Sequence, residues 1–215
     1  MPDLSFHVER AEPLPFAEAP LLIFKLRVTN RPAPEVIHSI MLRCQVQIET
    51  TRRRYEPQEQ AQLFDLFGEP ERWRQTLRSM LWTFSNVTVP PFADSTVVDL
   101  PVPCTFDFNV AATKYFYALA EGEVPLTLLF SGTVFYKAES GHLQVAQISW
   151  EKEATYRLPV QVWQAMMDHY YPNSAWLRLP RDLFDQLYEY RLRWGLPTWE
   201  KALERLLAEQ KERER

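Results

Sequence analysis

The chain has 215 residues, with 46% hydrophobic and 13% aromatic residues, enough to bury a real core and to exclude wholesale disorder. Its net charge of −4 and pI near 5.7 lack the basic footprint of a nucleic-acid binder. Two cysteines exclude a disulfide-dense scaffold, and no apolar run approaches the roughly 20 residues that span a bilayer.

The first residues show no basic segment followed by an apolar run, so no signal peptide is expected, and the chain reads as cytoplasmic. Leu4, Phe6 and Val8 mark a short first strand. Leu22, Phe24, Leu26 and Val28 then alternate with more polar neighbours, the two-residue period of a half-buried strand. Ile40, Leu42, Cys44, Val46 and Ile48 repeat that pattern. NRPAPE between the two runs reads as a turn, because each proline fixes φ and withholds a donor, so the pair is expected to form an antiparallel hairpin. The TTRRRY segment, with Arg52, Arg53 and Arg54, is the one basic run and reads as a solvated strand end; an anion or acidic-partner site is the alternative.

A helical insertion is expected near 56–81. Leu63, Phe64, Leu66 and Phe67 share one side of a helix that Gly68 would cap, and Trp73, Leu77, Met80 and Leu81 recur at helical spacing behind Pro70. Strands resume by Phe84. In VVDLPVPCTFDFNV the residues Leu100, Val102, Cys104, Phe106 and Phe108 share a face. Pro101 and Pro103 lack their amide protons on the same flank, which predicts an edge strand. Strands at 126–137 and 142–150 follow, joined by a turn with Gly141, and a phase slip between Val145 and Ile148 predicts a bulge.

From Leu158 the period becomes helical. Val162, Trp163, Met166, Met167 and Tyr170 form one stripe, Leu183, Phe184, Leu187, Tyr190 and Trp194 a second that Gly195 ends, and Trp199, Leu203, Leu206 and Leu207 a third behind Thr198. The expected fold is mainly β (α+β): an antiparallel β-sandwich over 1–157, a C-terminal three-helix unit over 158–207 and a charged tail over 208–215.

The densest chemistry lies in VWQAMMDHYYPNSAWLRLPRDLF, and each charged group there has a local structural role. Asp168 falls off the apolar stripe, His169 gains from a helix C-terminus and Asp182 from a helix N-terminus. The five glycines are too dispersed for a phosphate-cradling loop, and the four histidines make no zinc-binding spacing. Cys44 and Cys104 fall on inward faces as small hydrophobes; a disulfide or a shared metal is the alternative. Trp82 and Trp150 fit a sugar-stacking row or a core equally well. No catalytic residue, cofactor or metal ligand is therefore assigned. The candidate binding residues are Trp176, Arg178 and Arg181, because tryptophan beside arginine is enriched at the centres of protein interfaces.

LFSGTVFY, PVQVWQAMMDHYYPNSAWLRLP and LYEYRLRWGLPTWEKALERLL resemble an uncharacterised bacterial family whose genes accompany actinobacterial-type, high-affinity NiFe uptake hydrogenases. The resemblance implies a non-enzymatic accessory that binds a hydrogenase subunit or its maturation machinery, and it carries over no site residue. Two other readings stay open: a chaperone similar in layout to SecB, holding apolar client segments, and an enzyme with a dispersed site around Asp168, His169 and Arg181.

Overall fold

The structure is a computed structural model that describes residues 2–31, 35–105, 109–138, 141–175 and 177–213. The chain divides into two units, residues 1–174 and 175–215.

The first unit holds eight strands among the described residues: β1 (Leu4–Pro13), β2 (Leu21–Asn30), β3 (Val36–Ile48), β4 (Met80–Val89), β5 (Ser95–Pro103), β6 (Glu123–Lys137), β7 (Leu143–Gln147) and β8 (Glu153–Pro159). They form two antiparallel sheets. One has the order β1-β2-β5; the other runs β4-β3-β6, with β7 and β8 sharing the far edge of β6. The alternation read from the sequence is the alternation of burial. Leu22, Phe24, Leu26 and Val28 are buried from one sheet and Ile40, Leu42, Cys44 and Val46 from the other. Phe6 and Phe130 stack at 4.2 Å between the two layers. Each such side chain contributes about 1.5–3 kcal/mol when fully buried.

Two helices of this unit, α4 (Val110–Tyr117) and α5 (Val160–Tyr170), add their rings to the same core. Trp163 stacks on Phe116 at 4.8 Å, and Phe116 lies 4.8 Å from Trp82 of β4. The insertion between β3 and β4 is a series of short pieces, α1 (Pro57–Gln62), α2 (Phe64–Phe67) and α3 (Trp73–Thr76), with 3₁₀ turns around them. The second unit is a helical hairpin of α6 (Arg181–Arg193) and α7 (Trp199–Arg213), so helix continues through most of the span expected to be a charged tail.

Several expectations need correction. β2 and β3 do not pair: they lie in different sheets. Two strands with one apolar face each can bury it side by side or face to face, and alternation alone does not distinguish these. The chain leaves the smaller sheet at buried Asn30, whose side chain accepts from the Asp3 amide at 3.2 Å and donates to the Glu35 carbonyl at 3.0 Å. The helix expected over 56–67 breaks at buried Leu63, and β4 begins at Met80, inside the span read as helix. The strand expected over 142–150 has no bulge between Val145 and Ile148; it stops at Gln147, and a separate strand, β8, continues in the same direction along the same edge of β6. Bulges occur instead at Val8/Arg10, Ile37/Ser39 and Val46/Gln47. β5 is the terminal strand of its sheet, as its prolines require. Phe106 and Phe108 lie outside the described residues.

Candidate functional site

The C-terminal unit is built by local rules. Pro180 precedes α6, Asp182 lies in its first turn, and Arg191 and Arg193 lie in its last, each favoured by the helix dipole. Gly195, at φ 60°, ends α6: its N–H donates to the Leu192 carbonyl at 3.1 Å and the Leu196 N–H to the Arg191 carbonyl at 3.0 Å, the Schellman arrangement. Thr198 then caps α7 by accepting from the Lys201 amide at 3.3 Å.

The two helices meet through rings and guanidiniums. Arg205 lies 3.6 Å from the Trp194 ring centre and donates to Glu209 at 2.9 Å, and Arg191 lies 4.6 Å from the Trp199 ring centre. Phe184 packs against Trp199 at 5.1 Å. Such contacts are worth about 0.5–1 kcal/mol each where exposed, enough to set the hairpin's register but not to bury its apolar stripe. No residue of α6 is buried. Leu192 is 60% exposed and Leu207 65%, and Leu183, Phe184, Tyr188, Trp194 and Leu203 are exposed as well. This stripe can bind a complementary apolar surface.

Of the residues singled out for binding, Trp176 lies outside the described residues, while Arg178 and Arg181 are exposed. Asp168 and His169 are neighbours on the outer side of α5, and Arg181 belongs to the other unit. Trp82 is buried, whereas Trp150 is 89% exposed, so the two do not form one row.

The basic run behaves differently from the expectation. Arg52 and Arg54 are exposed, but Arg53 turns inward and pairs with buried Glu59 at 2.7 Å. It also donates to the carbonyls of Glu121 and Glu123 at 2.7 and 2.8 Å. Glu59 Oε1 accepts from the Ala120 amide at 2.9 Å and its Oε2 from the Glu56 amide at 3.1 Å, closing a capping box on α1. Beside this pair the hydroxyls of Tyr55 and Tyr115 lie 2.9 Å apart. Desolvation pushes the Tyr55 phenol up to about 12, and it holds the Tyr115 phenol far above its ordinary range. The network ties the insertion to the α4–β6 connection: the carboxylate is held by Arg53 and two amides, and the Tyr55 hydroxyl by Tyr115 and the Thr50 carbonyl at 2.8 Å. The network's signal in the sequence was the capping-box spacing of Glu56 and Glu59 around Pro57; the separation of six residues between Arg53 and Glu59 matches no helical spacing.

Cys44 and Cys104 are buried and unpaired with each other, and burial pushes both thiols up to about 12, where they stay protonated and poorly nucleophilic. Among the described residues no group of three or more His, Cys, Asp and Glu is placed to hold a metal ion.

A family model described as "Family of unknown function (DUF6084)" matches residues 1–215. No curated protein matches the chain. Among solved structures, a Bordetella pertussis protein assigned as ApaA is 13% identical with a TM-score of 0.24, over 73% of this chain and 93% of that one. A β-glucosidase 3B from Thermotoga neapolitana, solved with α-D-glucose, is 9% identical with a TM-score of 0.26, over 73% of this chain but only 17% of the enzyme. At these TM-scores neither likeness bears on function.

Proposed function

The chain belongs to that family of unknown function, DUF6084, and from there we propose that it is a non-enzymatic accessory whose α6–α7 hairpin binds another protein. The observation that carries this reading is the exposed apolar stripe from Leu183 to Leu207. Large apolar side chains repeated along a helical hairpin mark interaction surfaces, and tryptophan and arginine are the residues that dominate them energetically. The partner class we propose is a subunit of a NiFe uptake hydrogenase or of its maturation machinery, on the resemblance of the segments from Leu129 to Leu207. Among the described residues no helix is long and apolar enough to cross a membrane.

The test is co-purification from the native host with the full chain and with Leu203→Glu/Leu207→Glu. Both side chains are exposed, so the melting temperature should hold while hydrogenase components disappear from the recovered proteins. Unchanged recovery would remove the hairpin as the contact surface. Recovery of many unrelated unfolded chains would favour the client-holding reading instead.

A further inference from the structure

We infer that β7 is an association edge, and that two copies of this chain join by pairing β7 with β7 across a two-fold axis. The backbone direction follows from the ladder. The Ala138 N–H donates to the His142 carbonyl at 3.1 Å and the Ile148 N–H to the Gly132 carbonyl at 2.9 Å. In an antiparallel pair such residues alternate, so the N–H and C=O groups of Leu143, Val145 and Gln147 all point away from β6. None of these six groups has a partner among the described residues. Water solvates these exposed groups in a single copy, and the protein partner that matches three donors and three acceptors at strand spacing is another extended backbone.

Among the described residues the other sheet edges are each obstructed along part or all of their length. β1 carries Glu9, Arg10 and Glu12 and a bulge at Val8/Arg10. On β5 the Cys104 N–H bonds back to Pro20, on the β2 side, so the nitrogens of Pro101 and Pro103 face outward with no proton to donate. On β4 the carbonyls of Leu81 and Trp82 accept from the Asn109 amide and that of Phe84 from the Thr83 hydroxyl. β8 carries Glu153, Arg157 and Pro159, and its Tyr156 hydroxyl accepts from the Ala11 amide of β1. β7, reading LQVAQ, has no charge, no proline and no bulge.

The occupant is a second copy because the edge complements itself. Centred on Val145, antiparallel pairing sets Leu143 opposite Gln147 twice and brings no like charges together. The same register carries the β6–β7 turn of one copy, with exposed Lys137 and His142, to the β7–β8 connection of the other, with exposed Trp150 and Glu151. Neither Lys137 nor Glu151 has an ion-pair partner within its own chain among the described residues. The opposite charges therefore meet twice about the axis. With the remaining edges obstructed, the contact is isologous and closes at two copies.

Sedimentation of the full chain across micromolar concentrations should show a reversible monomer–dimer equilibrium. Val145→Pro should leave a monomer with an unchanged circular dichroism spectrum, since the lost N–H bonds nothing within its own copy. Lys137→Glu and Glu151→Lys should each weaken the dimer several-fold, and the double swap should restore it. A wild-type chain that stays monomeric, or a dimer indifferent to Val145→Pro, overturns the proposal. Should Val145→Pro misfold, hydrogen exchange on the unaltered chain decides: amides of Leu143, Val145 and Gln147 must gain protection as concentration rises, and an absence of that dependence refutes the pairing.

Discussion

Gly132 of β6 stands against the backbone of β3 with φ +142°, and a Cβ placed on it would lie 2.0 Å from the Met41 carbonyl oxygen. The obstacle is main chain, so no rotamer change relieves it. Gly132→Ala should lower stability in urea unfolding by roughly 3 kcal/mol or more. The Arg53–Glu59 pair sets a second residue-scale expectation. Glu59→Leu leaves a guanidinium buried without its carboxylate and should cost about 3–5 kcal/mol, whereas Glu59→Gln keeps an acceptor for Arg53 and Ala120 and should cost distinctly less. The buried thiols and Tyr55 give the alkaline behaviour its sign. Cys44, Cys104 and Tyr55 ionise near 12 in the folded chain, above their ordinary values. Between roughly pH 9 and 12 the unfolded chain holds fewer protons than the folded one, so stability present below about pH 9 is lost as pH rises. Each group contributes at most about 1.4 kcal/mol per pH unit in that window. Denaturation midpoints that stay flat to pH 11 would show the thiols to be solvated; labelling of either thiol in the native state should likewise be slow.

At the scale of elements, what was legible followed from periodicity and punctuation. The phases of β2 and β3, the proline-marked edge of β5 and the stripe of α5 all lie where alternation and spacing put them. Gly68 and Gly195 both take positive φ at helix ends. α4 was not legible, because its buried side (Ala112, Thr113, Tyr115 and Phe116) includes a polar threonine and its exposed side an aromatic, Tyr117, so hydrophobicity does not trace the burial. Its available signal was Asn109, whose side chain accepts from the Ala112 amide at 3.0 Å and donates to the Trp82 carbonyl at 2.8 Å. Asn109→Ala removes the cap and the brace on β4 together, so it should cost more than the usual ~1 kcal/mol of a lost cap, measured by thermal melting. β8 escaped because its alternation is short: only Ala154 and Leu158 are buried, with Tyr156 half-buried between them. Sheet membership was the deeper loss, since alternation fixes which face is apolar and says nothing about which strand lies beside it.

At the scale of the molecule, the core of the first unit is complete within residues 1–174. A chain ending at Ser174 should therefore melt cooperatively within a few degrees of the full one, while the isolated 175–215 hairpin, with no buried residue in α6, should be only marginally helical in water. A broad, early transition in the shortened chain would show that the helices support the sandwich. The candidate surface was legible in part: the helical spacing placed the apolar stripes, but a stripe that packs inward and one that stays exposed have the same spacing. The order of strands also bears on how the chain is made. β3 lies between β4 and β6, and β6 begins about 75 residues after β3 ends. At ribosomal speeds of roughly 5–20 residues per second, one flank of β3 waits on the order of 4–15 seconds for its neighbour. Through that interval Ile40, Leu42 and Val46 have a backbone ladder on no more than one side, that of β4 once it has been made. Nascent chains stalled before β6 should accordingly be captured by trigger-type holdases, and chains stalled after β8 released from them.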